Sequence, residues 1–108
     1  MSNIFDGFPT SLRIGPFDIA VEIKEDIGDD WGNYKHGIGI ELARAQPSAI
    51  FALDTAMHEI NHGIYHTFGL NEDSNEEAIV TAMATGWAMV LRDNPQFANW
   101  LYRMIQPK

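Results

Sequence analysis

Three of the four histidines in this 108-residue chain lie in one stretch, Asp54 to Gly69, reading DTAMHEINHGIYHTFG. His58, His62 and His66 follow one another at intervals of four, and Glu59 stands directly behind the first. His58-Glu59-Ile60-Asn61-His62 is H-E-x-x-H. On a helix, residues four apart share a face, about 6 Å apart along the axis. Two imidazoles so placed can close on one Zn²⁺ at about 2.0–2.1 Å. The glutamate between them points beside the ion, where it can hold and deprotonate an acidified water.

Two ligands do not complete a catalytic zinc site, which takes three plus water. His66 is a poor third ligand on a regular helix, because each further step of four turns the face by about 40° and climbs another 6 Å. The better candidates are Glu76 and Glu77, 14 and 15 residues after His62. They open the next helical segment across a short connection, which predicts antiparallel neighbours. Glu76 shares its stripe with Val80, Met83, Trp87 and Val90. Glu77 shares its stripe with the small residues Thr81, Ala84 and Ala88, which suit a close helix approach, and Glu77 is the preferred ligand. Either acid would also sit well at a helix N-terminus for its dipole alone. Thr81 could orient Glu77 by a hydrogen bond. Tyr34, His36, Tyr65 and His66 are the polar-tipped candidates for stabilising an oxyanion.

The elements that must position these groups are legible in outline. Alternation from Leu12 to Ile23, with a phase shift at Gly15-Pro16, predicts one bent strand. EDIGDDWGN, Glu25 to Asn33, is turn chemistry. YKHGIGIEL predicts a second strand, with Tyr34, His36, Ile38, Ile40 and Leu42 on one face. Its Gly37 and Gly39 indicate an edge or a close backbone approach. Pro47-Ser48 opens a helix whose apolar face is Ile50, Leu53, Met57, Ile60, Ile64 and Phe68, with Gly69 ending it. A second helix runs from about Glu76 to Arg92, and Asn94-Pro95 starts a last short one. The expected fold is α+β: a small antiparallel sheet followed by three helices, in a single domain over 1–108.

Composition narrows the function. The chain has no cysteine, so a metal must be held by histidine and carboxylate. Fifteen acids against seven bases give a net charge of -8, which argues against nucleic acid as the partner. No run of apolar residues is long enough for a membrane span, and the N-terminal residues lack the pattern of a signal peptide, so a cytoplasmic protein is the simplest expectation.

HEINH, followed by NEEAIVTAM on a second helix, resembles the gluzincin-type HExxH zinc metallopeptidases. In thermolysin-like members the third ligand lies in N-E-A-I-S-D, which Asn75-Glu76-Glu77-Ala78-Ile79-Val80-Thr81 resembles when Glu77 is the ligand, with Thr81 in place of Asp. The shorter spacing is similar to that of small phage and mobile-element peptidases of the ImmA/IrrE-like minimal form. There the run HExxHxxxH ends in a histidine that is not a ligand. The resemblance covers roughly residues 34–100 and implies a zincin-like core, Zn²⁺ held by His58, His62 and Glu77, and Glu59 as general base. It implies a protein or peptide substrate whose extended chain pairs with the edge around Ile38–Leu42, with Tyr34 and His36 on that side. The alternative is a non-catalytic, zinc-binding acidic protein with a vestigial peptidase fold, serving as a protein-interaction or anti-defence module. Oligomeric state and cleavage specificity are not encoded in these motifs.

Overall fold

The structure, a computed structural model, describes residues 3–107. Four strands, β1 (Ser11–Ile14), β2 (Phe17–Lys24), β3 (Gly32–Lys35) and β4 (Gly39–Ala43), precede three helices, α1 (Ala49–Thr67), α2 (Glu76–Asp93) and α3 (Pro95–Met104). The α+β expectation holds. The sheet, ordered β1-β2-β4-β3, is mixed rather than antiparallel, because β2 and β4 run parallel.

Both predicted strands are hairpins. Leu12–Ile23 folds back at Gly15-Pro16, with Gly15 at φ 59, and pairs Leu12 with Ile19. Tyr34–Leu42 folds back at Gly37, at φ 77, and pairs Tyr34 with Ile40. A positive φ costs glycine little, so the chain reverses where the alternation only slipped phase. One consequence bears on the site. The Ile38–Leu42 segment is not an edge: β4 bonds to β2 on one side and β3 on the other. The outer strand on the site side is β3. Gly39 does mark a close approach, since a Cβ there would lie 2.6 Å from the Ala20 carbonyl oxygen.

The helices cover one face of the sheet. Leu12, Ile14, Val21, Ile40 and Leu42 meet Ala52, Ala56, Ile60 and Ile64 of α1 in the core. Ser48 caps α1 by accepting from the Phe51 amide at 3.1 Å, and Asn75 caps α2 by accepting from Ala78 at 2.8 Å. Of the ten residues that the sequence suggests are an irregular lead-in, the described ones, 3–10, seal the far end. Phe5 and Phe8 pack on Trp100, with ring centres 5.5 and 4.9 Å away. Asn94, buried between α2 and α3, accepts from the Arg13 amide at 2.7 Å and donates to the Arg13 and Val90 carbonyls, each at 2.8 Å. That amide holds β1 to the α2–α3 junction. Among the described residues no helix is long and apolar enough to cross a membrane.

Candidate metal centre

The middle of α1 carries the site because its residues divide cleanly between two environments. Thr55, Glu59, Ile60, Gly63 and Ile64 are buried, while His58 and His62 project outward. His58, Glu59 and His62 each offer a ligand atom within 4.8 Å of the other two. The two imidazole rings stand 4.9 Å apart, centre to centre, at 76°. This is the face expected of residues four apart on a helix.

Strand β3 lies across this face, and Gly32 lets it come down, while Gly63 admits Ile14 of β1. A Cβ on Gly32 would meet Thr55 Cγ2 at 2.8 Å, and Glu59 Oε2 and Leu42 Cδ2 at 3.2 Å each. A Cβ on Gly63 would meet Ile14 Cδ1 at 2.7 Å and Tyr34 Cε2 at 3.6 Å. The Tyr34 ring lies parallel to the rings of His62 and His66, with centres 6.2 and 5.5 Å away. Its hydroxyl meets His36 Nδ1 at 3.1 Å. Asn33, next along the strand, turns the opposite way and donates from Nδ2 to Glu41 Oε1 at 2.9 Å. Its Oδ1 is the buried side-chain acceptor left without a partner among the described residues.

A cavity of about 420 Å³ opens above the group, lined by Asp30, Gly32, Asn33, Tyr34 and His36 from the sheet side and by His58, Glu59, His62 and His66 from α1. Electrostatics follow from the burial. Loss of water pushes the Glu59 carboxyl above its ordinary range; nearby His58 opposes this and Asp30 adds to it. Burial, with His58 and His66 alongside, lowers His62 and favours its neutral, ligand-competent form. Burial also raises the Tyr34 phenol, keeping it protonated as a donor.

Several candidates therefore converge: His58, Glu59, His62, His66, Tyr34 and His36 share one cavity. The glutamates of α2 do not join them. Glu77 and Thr81 hydrogen bond to each other at 3.4 Å and line a separate depression with Phe68 and Leu70. Helix register is the physical reason. Trp87 Nε1 donates to Asn61 Oδ1 at 2.7 Å, and Gly86 packs against Ile64. With Trp87 level with Asn61, Glu76 and Glu77 lie ten or more residues back, roughly 15 Å along the axis at 1.5 Å per residue. The α2 side chain beside the histidines is Met83, which lines a groove with His58, Asn61, His62, Tyr65 and His66.

Asp30 is the residue that sequence reasoning passed over. It sits in a run that reads as turn chemistry, and only the start of β3 at Gly32 swings it to the cavity rim. Set against known proteins, the chain matches no family model, no curated protein and no solved structure.

Proposed function

We propose that this chain is a zinc-dependent hydrolase of peptide bonds, with His58 and His62 as metal ligands and Glu59 as general base. The observation that carries this reading is the placement of Glu59. It is a buried carboxylate set beside two outward imidazoles, on the floor of an open cavity whose wall is an outer strand. The two imidazole nitrogens suit a borderline divalent ion, and in this reading the third ligand is a group other than Glu59 and other than the glutamates of α2. Such an ion, when bound, acidifies water and polarises a carbonyl oxygen.

The remaining work falls to the chain's own groups. Glu59 takes the proton from the attacking water at its carboxylate oxygen and delivers it to the leaving amine nitrogen. Its burial beside the two imidazoles holds that carboxylate in place for both transfers. Tyr34, held protonated, stands on the rim as a hydrogen-bond donor to the carbonyl oxygen that gains charge, with His36 Nδ1 3.1 Å from its oxygen. A substrate in extended form pairs with the free backbone groups of β3, between Gly32 and Lys35.

One observation favours a second reading, a metal-binding interaction module without turnover. The Glu59 oxygen lies within 4.8 Å of both histidine donors, so Glu59 could itself be the third ligand. The variant Glu59→Gln separates the two. If Glu59 is the base, the variant keeps its zinc and loses cleavage of a peptide library by a factor of about 100 or more. If Glu59 is a ligand, zinc affinity falls instead. Absence of cleavage by the zinc-loaded wild type would remove the hydrolase reading.

A further inference from the structure

All four histidines of this chain gather on one ridge, yet only two belong to the group with Glu59. His36 comes from the β3–β4 turn and His66 from the last turn of α1, and their ring centres are 4.9 Å apart. That separation equals the one between His58 and His62. It is also a separation that shared coordination allows. With a Zn–N bond of about 2.0–2.1 Å and a ring centre ~1.1 Å behind its nitrogen, two imidazoles on one tetrahedral ion stand about 5 Å apart.

We propose that His36 and His66 form a second site for a divalent transition ion, separate from the His58–Glu59–His62 group. Tyr34 prepares it. The tyrosine oxygen is 3.1 Å from His36 Nδ1, so with Nδ1–H donating to that oxygen the Nε2 lone pair is left for a metal. The same ring lies parallel to His66 at 13° and limits how that imidazole can turn. A residue that orients one donor and braces the other is the kind of support metal-bound histidines have.

The site is distinct by geometry. His66 is one helical turn beyond His62, a rise of about 6 Å, whereas paired catalytic ions stand about 3.5–4 Å apart. An ion here does not share ligands with the first. What it does is tie the hairpin turn to the end of α1, across thirty residues of sequence. Gly37, at φ 77, directly follows His36 in that turn. Both histidines line the cavity above Glu59, so an ion between them narrows its mouth. The expected consequence is thermal stabilisation by zinc in excess of the first equivalent, with access to the cavity reduced.

The test is a calorimetric titration of the chelator-stripped chain with Zn²⁺ at neutral pH, with native mass spectrometry to count ions. Wild type should take up two ions, and His36→Ala and His66→Gln one each. His58→Ala should lose the other ion, and the His36→Ala/His58→Ala pair should bind none. Far-ultraviolet circular dichroism checks that each variant folds, and the two substitutions at the second site guard against one that does not. The proposal is overturned if wild type binds one ion that His36→Ala and His66→Gln retain. It is equally overturned if both variants still bind two, or if a single ion is lost by His36→Ala and His58→Ala alike. A single ion kept by His58→Ala and lost by His36→Ala would support the second site while removing the metal reading of the first.

Discussion

The approach of β3 to α1 makes a quantitative prediction through Gly32→Ala. The backbone at Gly32 is ordinary strand, so alanine by itself would stabilise by roughly 0.4–1 kcal/mol through the unfolded chain. Packing opposes this. The new methyl would lie 2.8 Å from Thr55 Cγ2, with Glu59 Oε2 and Leu42 Cδ2 at 3.2 Å. Carbon atoms prefer about 3.5–4.0 Å, so the overlap with Thr55 approaches 1 Å. Thr55 cannot rotate freely to relieve it, because its hydroxyl donates to Gln46 Oε1 at 3.1 Å and that bond contributes about 1 kcal/mol. Lifting the strand instead strains the edge of the sheet. Overpacking of this kind costs about 1–3 kcal/mol, which leaves a net loss of about 1–2 kcal/mol. For a domain this size that lowers Tm by roughly 4–15 °C.

A double-mutant cycle identifies the cause. Thr55→Ser removes the obstructing methyl and keeps the hydroxyl. Alone it should cost about 1 kcal/mol for the lost buried methyl. Combined with Gly32→Ala, the cost should fall short of the sum by about 1 kcal/mol, read from urea unfolding of the metal-free chain. Strict additivity, or a Gly32→Ala variant as stable as wild type, would refute the close packing of β3 over Glu59.

Asn94→Ala removes three hydrogen bonds and leaves the Arg13 amide without its acceptor, so it should cost roughly 2–4 kcal/mol in urea unfolding; a loss under about 0.5 would show that the amide is not holding β1 to the α2–α3 junction. Glu59→Gln gives a pH-dependent prediction in the metal-free chain. Burial raises the folded carboxyl above its unfolded value, so the charge penalty is absent below the ordinary carboxylate range and grows as pH rises to and through the raised folded value. The variant should therefore be more stable than wild type near neutrality, with the gap closing in acid, and a wild type more stable at neutral pH would contradict the burial of that charge.

What the sequence made legible follows from the range of the interactions involved. Helices α1, α2 and α3 could be read from periodicity and caps, because those are local: Ser48 and Asn75 bond to amides three residues on. His58, Glu59 and His62 could be read for the same reason, since a helix fixes what lies four residues away. The hairpins were concealed because the alternation resumes after one phase slip at Gly15-Pro16 and runs on across Gly37, so two short strands look like one long strand. The parallel pairing of β2 with β4 left no trace, since it depends on the Glu25–Trp31 connection carrying β3 to the outside. Phe5 and Phe8 read as part of a loop because their partner, Trp100, is more than ninety residues away.

The glutamates of α2 show how a correct local reading can still misplace a side chain. Fourteen or fifteen residues of separation do return the chain alongside α1, and the helices are antiparallel neighbours. Neighbourhood, however, leaves one variable open, the sliding of one helix along the other. That variable is set elsewhere, where Gly86 admits Ile64 and Trp87 reaches Asn61. With those contacts made, the first turns of α2 overhang the end of α1, and Val80 there is 55% exposed. The eight-residue connection Phe68–Asn75 is long enough to permit the overhang. Strand β3 has no such freedom, because Tyr34 pairs with Ile40 and Gly32 with Leu42. Groups carried near it, Asp30, Tyr34 and His36, are delivered to the histidines by sheet register rather than by a helix free to slide. The wall that faces the histidines at fixed register is therefore the strand.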